Sequence, residues 1–114
     1  MKSWQNQIIV NAVDVLAEDI HEWAVGKGFW GEDRNEGECI ALMHSELSEA
    51  LESVRHGHPA DHHCPEFTNT EIEYADCIIR ILDTCKAKGY RIGDAIRAKM
   101  DFNETRPQKH GKKF

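Results

Sequence analysis

The stretch EIEYADCIIRILDTCKAK, from Glu71 to Lys88, decides the fold. Ile72, Ala75, Ile78, Ile79, Ile81 and Leu82 put apolar groups around most of a helical circumference, and Gly89 follows as a stop. A surface helix carries one apolar stripe; this one carries more, which predicts a central helix packed from more than one side. Glu73, Asp76, Arg80 and Asp83 interrupt it along a single strip. Just upstream, Thr68 with Glu71 and Thr70 with Glu73 both have capping-box spacing.

The neighbouring segments read as helices too. Met43, Leu47, Ala50, Leu51 and Val54 form the stripe of a helix from Glu36 to Arg55, stopped by Gly57 and Pro59. Ile9, Val13, Leu16, Ile20, Trp23 and Ala24 form another from Trp4 to Val25, ended by Gly26 and Gly28. After a turn at Tyr90–Gly93, a fourth helix spans Asp94 to Thr105, and Pro107 prevents its continuation. The basic tail 108–114 is expected to be flexible or held by a partner. No segment alternates as a strand does, and no repeat is present. The expectation is one all-α domain, 1–114, of four-helix bundle-like form. Four helices of this length do not cover the apolar stripes of the first and third, so a homo-oligomer, dimer or tetramer, is expected.

Length and charge narrow the function. At 114 residues the chain buries roughly 65% of its unfolded surface, enough for one modest core. The net charge of −6 repels a phosphate backbone and argues against general nucleic-acid binding. No apolar run has the length of a membrane span and no signal segment is evident, so no membrane role and a cytoplasmic location are expected. Cys39, Cys64, Cys77 and Cys85 form no CxxC pair; Cys77 and Cys85 fall in an apolar pattern and read as core.

Carboxylates carry the chemistry. Glu46 and Glu49 on the second helix, and Glu73 and Asp76 on the third, are each spaced three apart, so each pair shares one helix face. If the faces oppose, four hard oxygen ligands converge, a donor set suited to Mg²⁺, with Mn²⁺ as the alternative. The competing reading is a solvated face, with Arg80 pairing locally with Asp76. On the fourth helix Lys99, Asn103 and Arg106 share a face that fits phosphate oxygens, or is an ordinary basic helix end. Trp30, in a glycine-flanked loop, is placed to stack on a base or to plug the bundle. Trp4 and Trp23 read as packing. His56, His58, His62, His63 and Cys64 cluster in the second loop but match no standard zinc spacing. One Glu-x-x-His, Glu18 to His21, falls short of the two a di-iron bundle needs. There is no P-loop.

Five runs together resemble the MazG-like all-α nucleoside triphosphate pyrophosphohydrolases, particularly the short phage and bacterial members. They are Lys27-Gly28-Phe29-Trp30, Ala41 to Glu52, Glu73 to Asp83, Lys99 to Pro107, and Lys109 to Lys113. The likeness runs from about residue 20 to the end. The family pattern is Glu-Glu-x-x-Glu on one helix and Glu-x-x-Asp on the next. Glu46, Glu49, Glu73 and Asp76 match; Ser45 stands where the family has its leading glutamate. The resemblance implies Mg²⁺-dependent hydrolysis of nucleoside triphosphates to monophosphate and pyrophosphate by a dimer or tetramer. Glu46 and Glu49 would be catalytic, and Lys99, Asn103, Arg106 and Trp30 would bind substrate. A phosphoribosyl-ATP or dUTP-type hydrolase with the same metal chemistry is one alternative; a catalytically silent member that binds nucleotides or a partner protein and regulates it is another, kept open by Ser45.

Overall fold

The computed structural model describes residues 4–113. Four helices follow one another: α1 (Asn6–Gly26), α2 (Glu36–Arg55), α3 (Asn69–Lys88) and α4 (Ile92–Glu104), then a 3-10 helix at Gln108–Gly111. Among the described residues there is no strand, only an isolated antiparallel bridge between Ala60 and Thr68. The tail thus takes a short helical turn at its start; Phe114, the end of the segment expected to be flexible, lies outside the described residues.

Caps set the helix boundaries. Asn35 accepts a hydrogen bond from the Glu38 N–H at 3.2 Å and opens α2. Of the two capping-box spacings, Thr68 with Glu71 is the one that forms. The Thr68 hydroxyl accepts from the Glu71 N–H at 3.1 Å, and the Thr68 N–H donates to the Glu71 carboxylate at 3.0 Å. Helix α3 therefore starts two residues earlier than the alternative spacing implies. Thr70 is buried instead, bonded to Ser53 Oγ at 2.7 Å and to His58 Nδ1 at 2.9 Å, which ties α2 and its exit loop to the start of α3.

Helix α3 lies between α2 and α1, as its apolar circumference requires, and α4 packs on α1. The interior is made of small groups: Ala17, Ala24, Cys39, Ala50, Cys77 and Leu82. Among the described residues no large side chain is completely buried. Leu16 and Trp23, assigned to the packing stripe of α1 by periodicity, are 49% and 54% exposed, and Ile78 and Tyr74 on α3 are exposed as well. Cys77 is buried as expected, while Cys85 is half-buried.

Gly93 sets the approach of α4 to α1. A Cβ there would lie 2.6 Å from Asp14 Oδ1 and 3.0 Å from the Val10 carbonyl oxygen. The Asp14 side chain can move, but the backbone of α1 cannot do so cheaply. Gly93→Ala is therefore expected to lose about 1–3 kcal/mol through overpacking. On an open helix face the same change would gain about 1 kcal/mol from helix propensity. The sign of the shift in the urea midpoint checks the contact.

Candidate metal and ligand site

The two acidic helix faces do oppose each other. Ligand oxygens of Glu46 and Glu49 from α2 and Glu73 from α3 lie within 4.8 Å of one another. Glu46 and Glu73 are buried and Glu49 is exposed. Asp76, the fourth expected ligand, is not part of this group; it sits one turn further along α3, half-buried. Ser45, in the position of the family's leading glutamate, turns back to donate to the Leu42 carbonyl at 2.7 Å and adds no carboxylate.

Crowding perturbs these groups. Burial, followed by the neighbouring Glu49 and Glu46, pushes the Glu73 carboxyl up to about 8. Its Oε2 is buried and has no hydrogen-bond partner. Burial and the charge of Glu46 also raise Asp76, against the opposing pull of Arg80. Arg80 does not pair with Asp76 as its i+4 spacing allows. Its Nε donates across the interface to Glu46 Oε1 at 3.0 Å.

Two concavities flank the carboxylates. One, of about 210 Å³, is lined by Glu46, Asp76, Arg80, Asp83 and Arg34 on its polar side and by Ile20, Trp23, Phe29 and Ile79 on its apolar side. The other, an open cleft of about 460 Å³, takes in Glu49 and Glu73 together with Asp61, Asn69 and three histidines, His56, His62 and His63. The carboxylate group thus forms the wall between an aromatic cavity and a polar cleft.

The expected substrate residues fare differently. Trp30 does not line the aromatic cavity. Its Nε1–H donates to both Asp83 oxygens, at 2.9 and 3.0 Å, and the Arg34 guanidinium lies over its ring at 4.7 Å. His21 bonds the same Asp83 at 2.8 Å and meets Trp30 edge-on. Trp30 is thus an anchor for the α1–α2 loop, and the rings facing the cavity are Trp23 and Phe29. Lys99, Asn103 and Arg106 line neither concavity. Lys99 and Arg106 instead flank the exposed Phe102 ring, at 4.6 and 5.5 Å. The structure therefore does not bring the basic face of α4 to the carboxylates within one chain.

Arg34, Arg80, Asp83, Trp23 and Phe29 are the residues that sequence reasoning left out of the site. For Arg80 and Asp83 a signal existed: both continue the strip of Glu73 and Asp76 along one face of α3. For Trp23 the stripe of α1 pointed to packing instead, and Phe29 lies in the loop beyond that stripe. No family model, no curated protein and no solved structure matches this chain at a significant level.

The Glu73 shift makes a prediction for the metal-free protein. Its pKa rises on folding from 4.5 to about 8, so between these values the folded chain holds a proton that the unfolded chain has released. Stability therefore falls as pH rises through that window. Glu73→Gln should flatten this slope, leaving the smaller contribution of Asp76, which has the same sign. Urea midpoints at pH 5 and pH 8 measure it. Equal slopes for wild type and variant would show that Glu73 is not enclosed with its neighbours.

Proposed function

We propose that the chain is a Mg²⁺-dependent nucleoside triphosphate pyrophosphohydrolase of the MazG-like kind that works as a homo-oligomer. The observation that carries this reading is the convergence of Glu46, Glu49 and Glu73, with a buried Glu73 oxygen left unpartnered, beside a cavity that joins aromatic rings to arginines. The donor set fits a hard divalent cation: carboxylate oxygens only, gathered where mutual repulsion calls for a positive charge. Glu46, Glu49 and Glu73 would hold it, with Asp76 as the outlying fourth. When bound, such an ion neutralises phosphate oxygens and lowers the pKa of a water.

The remaining work falls to the side chains. Trp23 and Phe29 offer ring faces to a planar base. Arg34 and Arg80, on the same cavity, supply charge for phosphate oxygens. Glu49, the exposed member, is open to take the proton of a water that attacks the α-phosphorus. The α–β bond then breaks, and nucleoside monophosphate and pyrophosphate leave. The apolar side chains left exposed on α1 and α3 support assembly. A neighbouring copy is the source from which Lys99 and Arg106 would reach the phosphates.

Two specific observations favour a second reading. Arg80 already satisfies one oxygen of Glu46, and Ser45 supplies no outer carboxylate, as a nucleotide-binding protein without turnover would have it. Release of pyrophosphate from a panel of canonical and damaged nucleoside triphosphates with Mg²⁺ separates the two readings and sorts the base preference.

Glu49→Gln or Glu73→Gln is expected to abolish that hydrolysis while the helical circular-dichroism signal persists. Wild-type turnover in either variant would overturn the assignment. Arg106→Ala should weaken triphosphate binding by about 1.5–3 kcal/mol, the scale of a hydrogen bond to a charged group, and leave nucleoside binding unchanged. Mixing inactive Glu73→Gln chains with Arg106→Ala chains should recover activity if each site draws on two copies. No recovery would place Arg106 outside the site.

A further inference from the structure

Asp61 is a buried acid in the loop between α2 and α3, only 5% exposed. It accepts the His63 N–H at 3.0 Å, the Cys64 N–H at 2.9 Å and the Asn69 side-chain amide at 2.8 Å. Its own N–H donates to the Phe67 carbonyl at 2.9 Å, and the Asn69 N–H donates to the Pro59 carbonyl at 2.7 Å. The loop is thus closed around Asp61 and fastened to the first residue of α3. The Asn69 amide, with the Cys64 N–H, holds the Asp61 carboxyl below the usual carboxylate range.

An ionised carboxylate only accepts, so it requires the amide of Asn69 to turn its NH₂ group inward. That nitrogen has a second hydrogen, and it lies 3.4 Å from Glu73 Oε1, one helical turn along α3. With Oε1 so engaged, the buried and unpartnered Oε2 is the oxygen left for a cation.

We infer that Asp61 and Asn69 form an outer relay that fixes the orientation of the Glu73 carboxylate toward a divalent cation. Both are positioning residues. The relay rests on the metal reading of this site. It also gives the polar loop a role: the loop holds the acid that holds the amide.

The test is Mn²⁺ affinity of the full chain, read by electron paramagnetic resonance, for wild type, Glu73→Gln, Asn69→Ala and Asp61→Asn. Asp61→Asn keeps the shape of the side chain but lets the Asn69 amide flip. Glu73→Gln should lose most Mn²⁺ binding. Asn69→Ala and Asp61→Asn should each weaken it about ten- to a hundredfold, as loss of an outer partner does. A purely structural role would lower the melting temperature of the metal-free protein and leave the Mn²⁺ affinity of the folded fraction intact, which overturns the relay. If Asp61→Asn does not fold, Asn69→Ala decides alone. Loss in Asp61→Asn without loss in Asn69→Ala also overturns it, because the amide is the link to Glu73; loss in Asn69→Ala alone removes Asp61 from it. If wild type binds no Mn²⁺, the metal reading itself falls. If wild type and both relay variants bind alike, the relay falls and the metal reading stands.

Discussion

Three carboxylates, each with an oxygen within 4.8 Å of the others, are the constraint on which the rest of the structure turns. Like charges at this distance disfavour ionisation, and burial adds to the cost. The chain meets that cost in three ways. Glu46 takes the Arg80 guanidinium, Glu49 stays in solvent, and Glu73 holds its proton up to about pH 8. Once Glu73 gives up that proton the group is no longer at rest, because its buried Oε2 then has no donor to accept from. A side-chain arrangement of this kind persists only if the helices beneath it cannot separate. Ala50 and Cys77 at the interface keep α2 close to α3, and the buried Ser53–Thr70 hydrogen bond locks their relative position.

The same helix organises the opposite end of the site. Asp83, two turns beyond Asp76, gathers the Trp30 indole and His21, so one buried carboxylate ties the α1–α2 loop and helix α1 to α3. Arg34 then lies over the outer face of Trp30. The aromatic cavity is therefore bounded by a loop that is fixed from beneath, while its open wall is made by Trp23 and Phe29. Successive residues along one strip of α3 have different roles. Glu73 and Asp76 face the carboxylate group, Arg80 neutralises a member of it, and Asp83 anchors the wall.

How much of this was legible depended on the range of the interaction. Helix α2 was readable to the residue because its apolar stripe and its stop, Gly57 with Pro59, are local. The start of α3 was ambiguous because two threonines had equal spacing, and only burial of Thr70 against Ser53, seventeen residues away, selects between them. That each acidic pair shares a helix face followed from i, i+3 spacing, whereas the convergence of Glu46, Glu49 and Glu73 without Asp76 is set by the packing of α2 on α3 and did not follow. The choice of Glu46 over Asp76 by Arg80 did not either, since a contact between residues 34 apart leaves no periodic trace. Where the basic face of α4 acts is not written in spacing either, for the same reason. Spacing showed that Lys99, Asn103 and Arg106 share a side; Gly93, whose missing Cβ lets α4 settle on α1, fixes where that helix packs, and the three line neither concavity of their own chain. Asp61 gave no signal, because its partners are two backbone N–H groups of its own loop and one side-chain amide, Asn69, with no periodic relation to it.

The interior explains why the chain leaves so much unfinished on its surface. Its buried apolar side chains are alanines, cysteines and one leucine, which bring helix axes close but bury little area each. Burial stabilises in proportion to apolar area, at about 25 cal/mol per Å². Much apolar area is therefore left uncovered in one copy: Ile8, Val15, Leu16, Leu47, Leu51, Tyr74 and Ile78 are 45–64% exposed. Close helix packing is what the carboxylate group demands, and small residues are what close packing requires. A fold built to force acids together gives up the large core that would have stabilised it alone. On the proposed assembly, the second copy covers that apolar area and brings the cations of α4 to a site that the first copy cannot complete.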